Sequence, residues 1–175
     1  MSERVVVVNA SKMNYDHALD FSVLSSDVKV YEDSTNAELI ERIQGACVVV
    51  TKEIPVTAEL LSRFPDTVKL IVEAGTGYNN IDLNAAKAKG ITVCNIPAYS
   101  TERVAHTVIM MILNFASTMQ QQIGMLAKGD RSNFTKHLQV SHTEVNGKTL
   151  GVVGAGHIGM EVIKVAKALG MNILV

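Results

Sequence analysis

A glycine-rich turn near the end of this 175-residue sequence carries its strongest chemical signal. The residues are Gly154-Ala155-Gly156-His157-Ile158-Gly159, between a predicted strand and a predicted helix. In such a turn the first glycine permits the bend, the second lets backbone approach a pyrophosphate, and the third lets helix and strand pack. Amides at the helix N-terminus then face the phosphates. The pattern favours a dinucleotide-binding site at Gly154, Gly156 and Gly159 over a purely structural turn.

The sequence leaves the choice between NAD(H) and NADP(H) open. An acidic residue about 20 positions after the glycine turn usually holds the ribose hydroxyls. Here that position falls just past Val175. His157 could add a side-chain donor to the pyrophosphate, and a solvent-facing residue without a role is an equally good interpretation.

A second glycine pair, Gly75-Thr76-Gly77, follows the fourth predicted strand of the N-terminal region. Parallel sheets bind ligands at the carboxyl ends of their strands, and free backbone amides there could hold a carboxylate. A turn in which the glycines serve only the backbone geometry explains the pattern equally well. Lys52, directly after the third predicted strand, could supply a cation at the same edge, although a solvated surface lysine is the simpler interpretation.

The remaining histidines and cysteines predict neither a catalytic group nor a metal site. Four histidines lack a carboxylate partner at a recognisable spacing, which favours packing or surface roles: His17, His106, His137 and His142. Cys47 and Cys94 lie within apolar, strand-like runs. We therefore expect both cysteines to be small buried side chains rather than disulfide partners or metal ligands.

Five runs rich in valine and isoleucine would position the second glycine pair. They span residues 5–8, 28–31, 47–51, 68–72 and 91–96, with helix-like segments between them. Continuous rather than alternating hydrophobicity is typical of strands buried on both faces, as in a parallel sheet covered by crossover helices. Asp82 is predicted to cap the helix that precedes the fifth run. The pattern predicts a doubly wound α/β domain over residues 1–100.

The glycine-rich turn belongs to a second region, residues 101–175. A helix predicted over 101–119 is apolar on all sides, so it must be covered by another domain or another subunit. A polar surface loop is predicted around residues 129–133. A strand at 148–153, a helix at 158–169 and a strand beginning at 172 then predict the start of a dinucleotide-binding fold.

Composition excludes several classes of protein. Apolar residues make up 47%, and 16 Lys and Arg against 17 Asp and Glu give a net charge of −1, as in a globular protein. The absence of a basic block argues against a nucleic-acid partner. The longest apolar run, residues 108–113, is too short to span a membrane. The N-terminal segment does not resemble a signal peptide, so a cytoplasmic location is predicted.

In order and spacing, four segments of the sequence resemble the D-isomer-specific 2-hydroxyacid dehydrogenase family, which includes glycerate, hydroxypyruvate, phosphoglycerate and D-lactate dehydrogenases. The segments are residues 73–82, 90–97, 104–105 and 146–151, the last running into the glycine-rich turn. The resemblance implies a flavodoxin-like parallel-sheet substrate domain followed by a Rossmann domain. It also implies hydride transfer between a nicotinamide and C2 of a 2-hydroxy or 2-oxo acid. Residues 96–101 look most like members acting on glycerate or hydroxypyruvate.

The resemblance also implies roles for particular residues. Backbone amides of Ala74, Gly75 and Thr76 would bind the substrate carboxylate, and Lys52 lies where substrate contacts are common. Val104 would contact the nicotinamide.

His157 and Ile158 would meet the pyrophosphate, and the helix at 101–119 would form a homodimer interface. Asn79 and His106 depart from the family pattern, which often has Asp and Glu there. The catalytic Arg, Glu and His of the family would lie beyond Val175, so we expect the chain to be truncated and inactive by itself. A non-catalytic oligomerising or nucleotide-sensing module is the alternative function.

Overall fold

The computed structural model describes residues 4–175, which separate into an N-terminal unit ending at Tyr99 and a C-terminal unit, Ser100–Val175. The N-terminal unit contains a five-stranded parallel sheet in the order β2-β1-β3-β4-β5. Its strands are β1 (Val5–Val7), β2 (Val28–Val30), β3 (Val48–Thr51), β4 (Leu70–Glu73) and β5 (Thr92–Cys94). Its helices are α1 (Asn36–Arg42), α2 (Ala58–Ser62) and α3 (Leu83–Ala88), with 3-10 turns at Ala10–Lys12 and Phe21–Leu24. The predicted parallel α/β fold is therefore confirmed.

The continuous valine runs arise because both faces of this sheet are covered. Val6 and Val8 point into the larger core, which includes Leu39 of α1 and Leu61 of α2, all at most 1% exposed. Val5 and Val7 alternate with them and enter a smaller core on the opposite face. Asp82 caps α3 as predicted, with its carboxylate accepting a hydrogen bond from the Ala85 amide at 2.9 Å.

One cysteine prediction is wrong. Cys94 is exposed and Cys47 is half-buried, and both are free thiols. Cys94 is the last residue of β5, an edge strand of the sheet. The apolar neighbours of Cys94 in the sequence suggested a strand covered on both faces, whereas an edge strand leaves some of its side chains in solvent.

The C-terminal unit is a β-α-β arrangement with a long helix packed on it. Its elements are α4 (Thr101–Ser117), α5 (Met119–Ala127), α6 (Ser132–Thr135), β6 (Thr149–Gly151), α7 (His157–Ala168) and β7 (Asn172–Leu174), with β6 and β7 parallel. Ala105 and Ile109 of α4 form a core with Val162 and Ala166 of α7. None of the helices within residues 4–175 is long and apolar enough to cross a membrane.

Two details of this unit differ from the sequence prediction. The helix predicted over 101–119 breaks at Thr118, which is left-handed with φ 51° and donates its hydroxyl to the Ser141 carbonyl at 2.7 Å. The end of the predicted surface loop forms the start of α6, and Asn133 there is 4% exposed. Its side-chain oxygen accepts the Gln139 amide at 2.8 Å, so the polar residue organises the loop from inside.

Candidate functional site

Lys52 and Gly75 meet at the carboxyl edge of the sheet in the N-terminal unit. Lys52 follows β3 and Gly75 lies two residues after β4, and these strands are neighbours. A Cβ atom on Gly75 would lie 2.8 Å from Nζ of Lys52, closer than real Cβ contacts. The lysine side chain therefore lies across the Gly75 backbone, and a side chain at position 75 would displace the ammonium from this place. The sequence prediction that both residues face one edge agrees with this geometry.

The Lys52 ammonium is held by a residue that the sequence analysis missed. Nζ donates to the Tyr99 hydroxyl at 3.3 Å and lies 5.6 Å from the centre of the Tyr99 ring. Glu53 Oε1 is 3.5 Å away, and the lysine side chain is 15% exposed. Burial acts to lower the pKa of Lys52, but its hydrogen bond and electrostatic interaction with Tyr99, together with Glu53, raise the pKa above its ordinary value. The group is a cation at neutral pH.

The turn after β4 offers two backbone donors rather than three. The Ala74 amide donates to the Thr51 carbonyl at 2.7 Å, which extends the β3–β4 ladder by one bond, so the expected role of this amide in carboxylate binding is wrong. Among residues 4–175, the Gly75 and Thr76 amides donate to no protein acceptor. Gly75 is buried beneath Lys52, so a carboxylate that reached these amides would also meet the ammonium.

The turn is fixed by contacts with the segment after β5. The Ile96 amide donates to the Gly75 carbonyl at 3.0 Å. The Thr76 hydroxyl donates to the Ile96 carbonyl at 3.1 Å, and the Asn95 side chain donates to the Thr76 carbonyl at 2.8 Å. The turn contributes only its carbonyls and the Thr76 hydroxyl to these three bonds. They therefore hold the turn in place while the Gly75 and Thr76 amides stay unpaired.

The glycine-rich turn of the C-terminal unit joins β6 to α7, and two of its three motif glycines have a conformational or steric reason to be glycine. Gly154 has φ 93°, a backbone conformation that other residues rarely adopt. A Cβ atom on Gly159 would collide with the Gly154 carbonyl oxygen, so this position must be glycine for β6 and α7 to pack. A Cβ atom on Gly156 would meet nothing within 4 Å. The protein's own packing therefore does not require Gly156, and the exposed backbone there is open to a ligand.

The other predicted cofactor residues lie in the same unit. His157 and Ile158 are the first residues of α7, His157 exposed and Ile158 half-buried. Val104 lies in the first turn of α4 and is 39% exposed. Within residues 4–175 no group of three or more His, Cys, Asp or Glu side chains is arranged to hold a metal ion.

Comparison with known proteins identifies the family of the chain. The profile of the family described as "D-isomer specific 2-hydroxyacid dehydrogenase, catalytic domain" matches residues 5–146. A D-3-phosphoglycerate dehydrogenase of Methanocaldococcus jannaschii is 39% identical over 151 residues, covering 85% of this chain and 28% of that protein. A glycerate dehydrogenase of Methylorubrum extorquens is 34% identical over 151 residues, covering 85% of this chain and 48% of that protein.

A solved structure has a similar fold. The D-lactate dehydrogenase of Aquifex aeolicus, complexed with NAD and lactic acid, is 30% identical with a TM-score of 0.77, and the match covers 97% of this chain and 50% of that one. The chain thus spans less than half the length of the two curated relatives and half that of the solved structure. On the extent of the profile match, the chain belongs to the D-isomer specific 2-hydroxyacid dehydrogenase family.

Proposed function

We propose that the whole protein is an NAD(P)-dependent oxidoreductase that transfers a hydride between a nicotinamide and C2 of a small 2-hydroxy or 2-oxo acid. In this proposal the N-terminal unit binds the acid and the C-terminal unit binds the cofactor. The observation that carries it is the Lys52 ammonium lying over Gly75, next to the unpaired amides of Gly75 and Thr76. A cation beside two backbone donors is a carboxylate-binding arrangement.

The proposed substrate resembles glycerate or hydroxypyruvate. The glycerate dehydrogenase among the relatives and the lactic acid bound to the Aquifex enzyme support a small 2-hydroxy acid. In our proposal the Gly75 and Thr76 amides donate to the carboxylate oxygens, and the Lys52 ammonium balances the negative charge. These contacts orient the acid, because a carboxylate gripped by fixed donors loses most of its rotational freedom before the reaction.

The proposed cofactor site is the glycine-rich turn. The open backbone at Gly156 and the first amides of α7, at His157 and Ile158, would donate to a pyrophosphate. Val104 would pack against the nicotinamide, which when bound supplies or accepts the hydride. Both NAD(H) and NADP(H) are compatible with this proposal. We assign no catalytic residue among residues 4–175. The family resemblance puts after Val175 the Arg, Glu and His that would supply a proton-transfer group and a cation beside the reacting carbonyl.

We further propose a cytoplasmic homodimer in which α4 of each copy faces the other. Phe115 is 83% exposed, and Met110 and Met111 are more than half exposed. A groove of about 570 Å³ runs along the same helix, lined by His106, Ile109, Met110, Leu113, Asn114, Ser117 and Met119. Exposed apolar surface of this kind marks an interaction site. The same face favours the second candidate, a non-catalytic oligomerising or nucleotide-sensing module.

Titration of the 175-residue chain with oxalate tests the carboxylate site. We expect saturable shifts of the Gly75 and Thr76 amide signals in ¹H–¹⁵N NMR spectra, weakened at least tenfold in Lys52→Gln, since a charge-assisted hydrogen bond is worth about 1.5–3 kcal/mol. Shifts spread over the surface without saturation would contradict the proposed site.

Two further assays separate the candidate functions. NADH binding, followed by its fluorescence, should be lost in Gly156→Val, because the added side chain blocks the approach of the pyrophosphate. NADH oxidation with hydroxypyruvate should be absent in the chain alone. A stable dimer that binds NADH but shows no saturable oxalate response would favour the nucleotide-sensing module.

A further inference from the structure

Two buried polar side chains lie directly behind Lys52. Asn9 follows β1 and is 2% exposed, and Glu73 ends β4 and is 1% exposed. An uncompensated polar group in such a place costs free energy, and a buried carboxylate costs more than a buried amide. The hydrogen bonds of these two side chains therefore indicate what they do.

Asn9 bonds both backbone groups of Lys52. Its Oδ1 accepts from the Lys52 amide at 2.9 Å, and its Nδ2 donates to the Lys52 carbonyl. A side-chain amide that bonds both the N–H and the C=O of one residue holds that residue in place, as the backbone of a neighbouring strand does in a sheet. The position from which the lysine side chain leaves the backbone is thus set by Asn9.

Glu73 holds the next residue. Its Oε1 accepts from the Glu53 amide at 2.9 Å, and its Oε2 accepts from the Asn80 side chain at 3.0 Å. Glu53 has φ 58°, a left-handed conformation that is uncommon outside glycine and has to be stabilised by its surroundings. Asn80 also donates to the Ile54 carbonyl at 2.8 Å, so the residue after Glu53 is held as well.

We propose that Asn9 and Glu73 are positioning residues for the carboxylate site, which hold the Lys52–Glu53 backbone so that the Lys52 ammonium lies over Gly75. This inference rests on the function proposed above. The place where a Cβ atom on Gly75 would lie is 2.8 Å from Lys52 Nζ and 3.3 Å from Glu73 Oε1. The ammonium and the buried carboxylate therefore both lie beside Gly75, while the carboxylate oxygens accept from the Glu53 amide and the Asn80 side chain.

The first test follows Lys52 without any ligand. In the wild-type chain we expect nuclear Overhauser contacts between the Lys52 side chain and the Gly75 α-protons, since these groups adjoin in the structure. The contacts should be lost in Asn9→Ala and weakened in Glu73→Gln. Unchanged contacts in both folded variants would overturn the proposal. This result does not depend on oxalate, so it separates failure of the positioning role from failure of the carboxylate site.

Glu73→Gln is informative because it keeps the size of the side chain. A glutamine that accepts from the Glu53 amide presents its NH2 group to the NH2 group of Asn80. If the Asn80 amide turned over, its oxygen could accept from the new glutamine NH2 group. The same Asn80 oxygen would then face the Ile54 carbonyl, and the hydrogen bond from Asn80 to Ile54 would be lost. One hydrogen bond is lost in either arrangement.

The second test is a double-mutant cycle on oxalate affinity. Asn9→Ala should weaken binding about tenfold in the wild-type background and less than about twofold when Lys52 is already Gln, because Asn9 acts through the lysine. An equal loss in both backgrounds would mean a general structural effect and would overturn the proposal. Asn133→Ala is the matched control, because Asn133 is another buried asparagine that bonds backbone amides, in the C-terminal unit. It should lower the melting temperature without changing oxalate affinity.

Discussion

In the N-terminal unit the candidate carboxylate site lies on a sheet of five strands with apolar side chains packed on both faces, whereas the glycine-rich turn follows a sheet of two strands. The surroundings of the two sites differ accordingly. Asn9 and Glu73, which hold the Lys52–Glu53 backbone, are at most 2% exposed. By contrast, Val153, just before the glycine-rich turn, and Leu174 of β7 are largely exposed. The first site depends on long-range contacts between strands, and the second depends on backbone geometry within six residues. Substitutions should therefore affect the two units in different ways.

The largest effect is expected for Gly159→Ala. Its methyl group would collide with the Gly154 carbonyl oxygen, a backbone atom that cannot move aside cheaply. We expect a loss of about 3 kcal/mol in the stability of the C-terminal unit. Hydrogen exchange of individual amides would measure it, with protection lost in α7 and kept in β1 and β3. Gly156→Ala is the control, since its added atom meets nothing within 4 Å and should leave protection unchanged.

Met111→Glu tests the proposed dimer interface on the exposed apolar face of α4, in the C-terminal unit. Met111 is 51% exposed, so the substitution should leave the fold of the chain intact. In a dimer formed through α4 it would bury an unpaired charge, which should cost about 2 kcal/mol of association free energy. Sedimentation equilibrium would measure the change, with Met111→Leu as an apolar control. A glutamate variant that associates as tightly as the wild type would exclude this interface.

Gly75→Ala should change binding more than stability. The added Cβ atom would lie 2.8 Å from the end of the flexible Lys52 side chain and 3.3 Å from Glu73 Oε1, neither of which is backbone. The ammonium can move aside, and the carboxylate oxygen has to shift by only a few tenths of an ångström. We expect a stability change below about 0.5 kcal/mol and an oxalate affinity about tenfold weaker. Calorimetry gives both quantities. Gly77→Ala is matched to it, because its Cβ would have only an ordinary 3.4 Å contact with Asn79.

Acid should lower the folding stability of both units by a smaller amount, through different residues. The Thr35 backbone and side-chain hydrogen bonds, with Arg42, hold the pKa of Glu38 in the N-terminal unit below its ordinary value. Hydrogen bonds from Ser132 lower the pKa of Asp130 in the C-terminal unit. A lowered folded-state pKa adds stability above the unfolded pKa, and this stability is lost as the pH falls through the folded pKa.

Melting curves at pH 6 and pH 3 would measure this dependence. Glu38→Gln should reduce the acid sensitivity of the N-terminal unit alone, and Asp130→Asn that of the C-terminal unit alone. If either substitution changed the sensitivity of both units equally, the assignment of Glu38 to the acid sensitivity of the N-terminal unit and of Asp130 to that of the C-terminal unit would be wrong.

Much of the fold could be predicted because it depends on local patterns. The valine runs predicted the parallel strands, since burial on both faces requires continuous apolar sequence. The glycine-rich turn predicted the β6–α7 connection, and the structure gives a steric reason for Gly154 and Gly159. The break at Thr118 was missed because its partner, Ser141, lies 23 residues away and no local signal marks it.

The candidate carboxylate site could be predicted only in part, for the same reason. Lys52 and Gly75 were found because each follows a predicted strand. Tyr99 is 47 residues from Lys52 and Asn9 is 43 residues from it, and neither spacing is a recognisable motif. A polar residue directly after a fully apolar strand was the one available signal for Asn9.

The sequence by itself determined the family, the parallel α/β architecture and the place of the glycine-rich turn, because each depends on residue order and on the local steric limits of glycine and valine. Only the tertiary structure decided which groups surround Lys52, that the Ala74 amide belongs to the sheet, and that Glu73 is buried behind the site. Those outcomes depend on which strands become neighbours, and strand pairing brings together residues that no short segment of sequence relates.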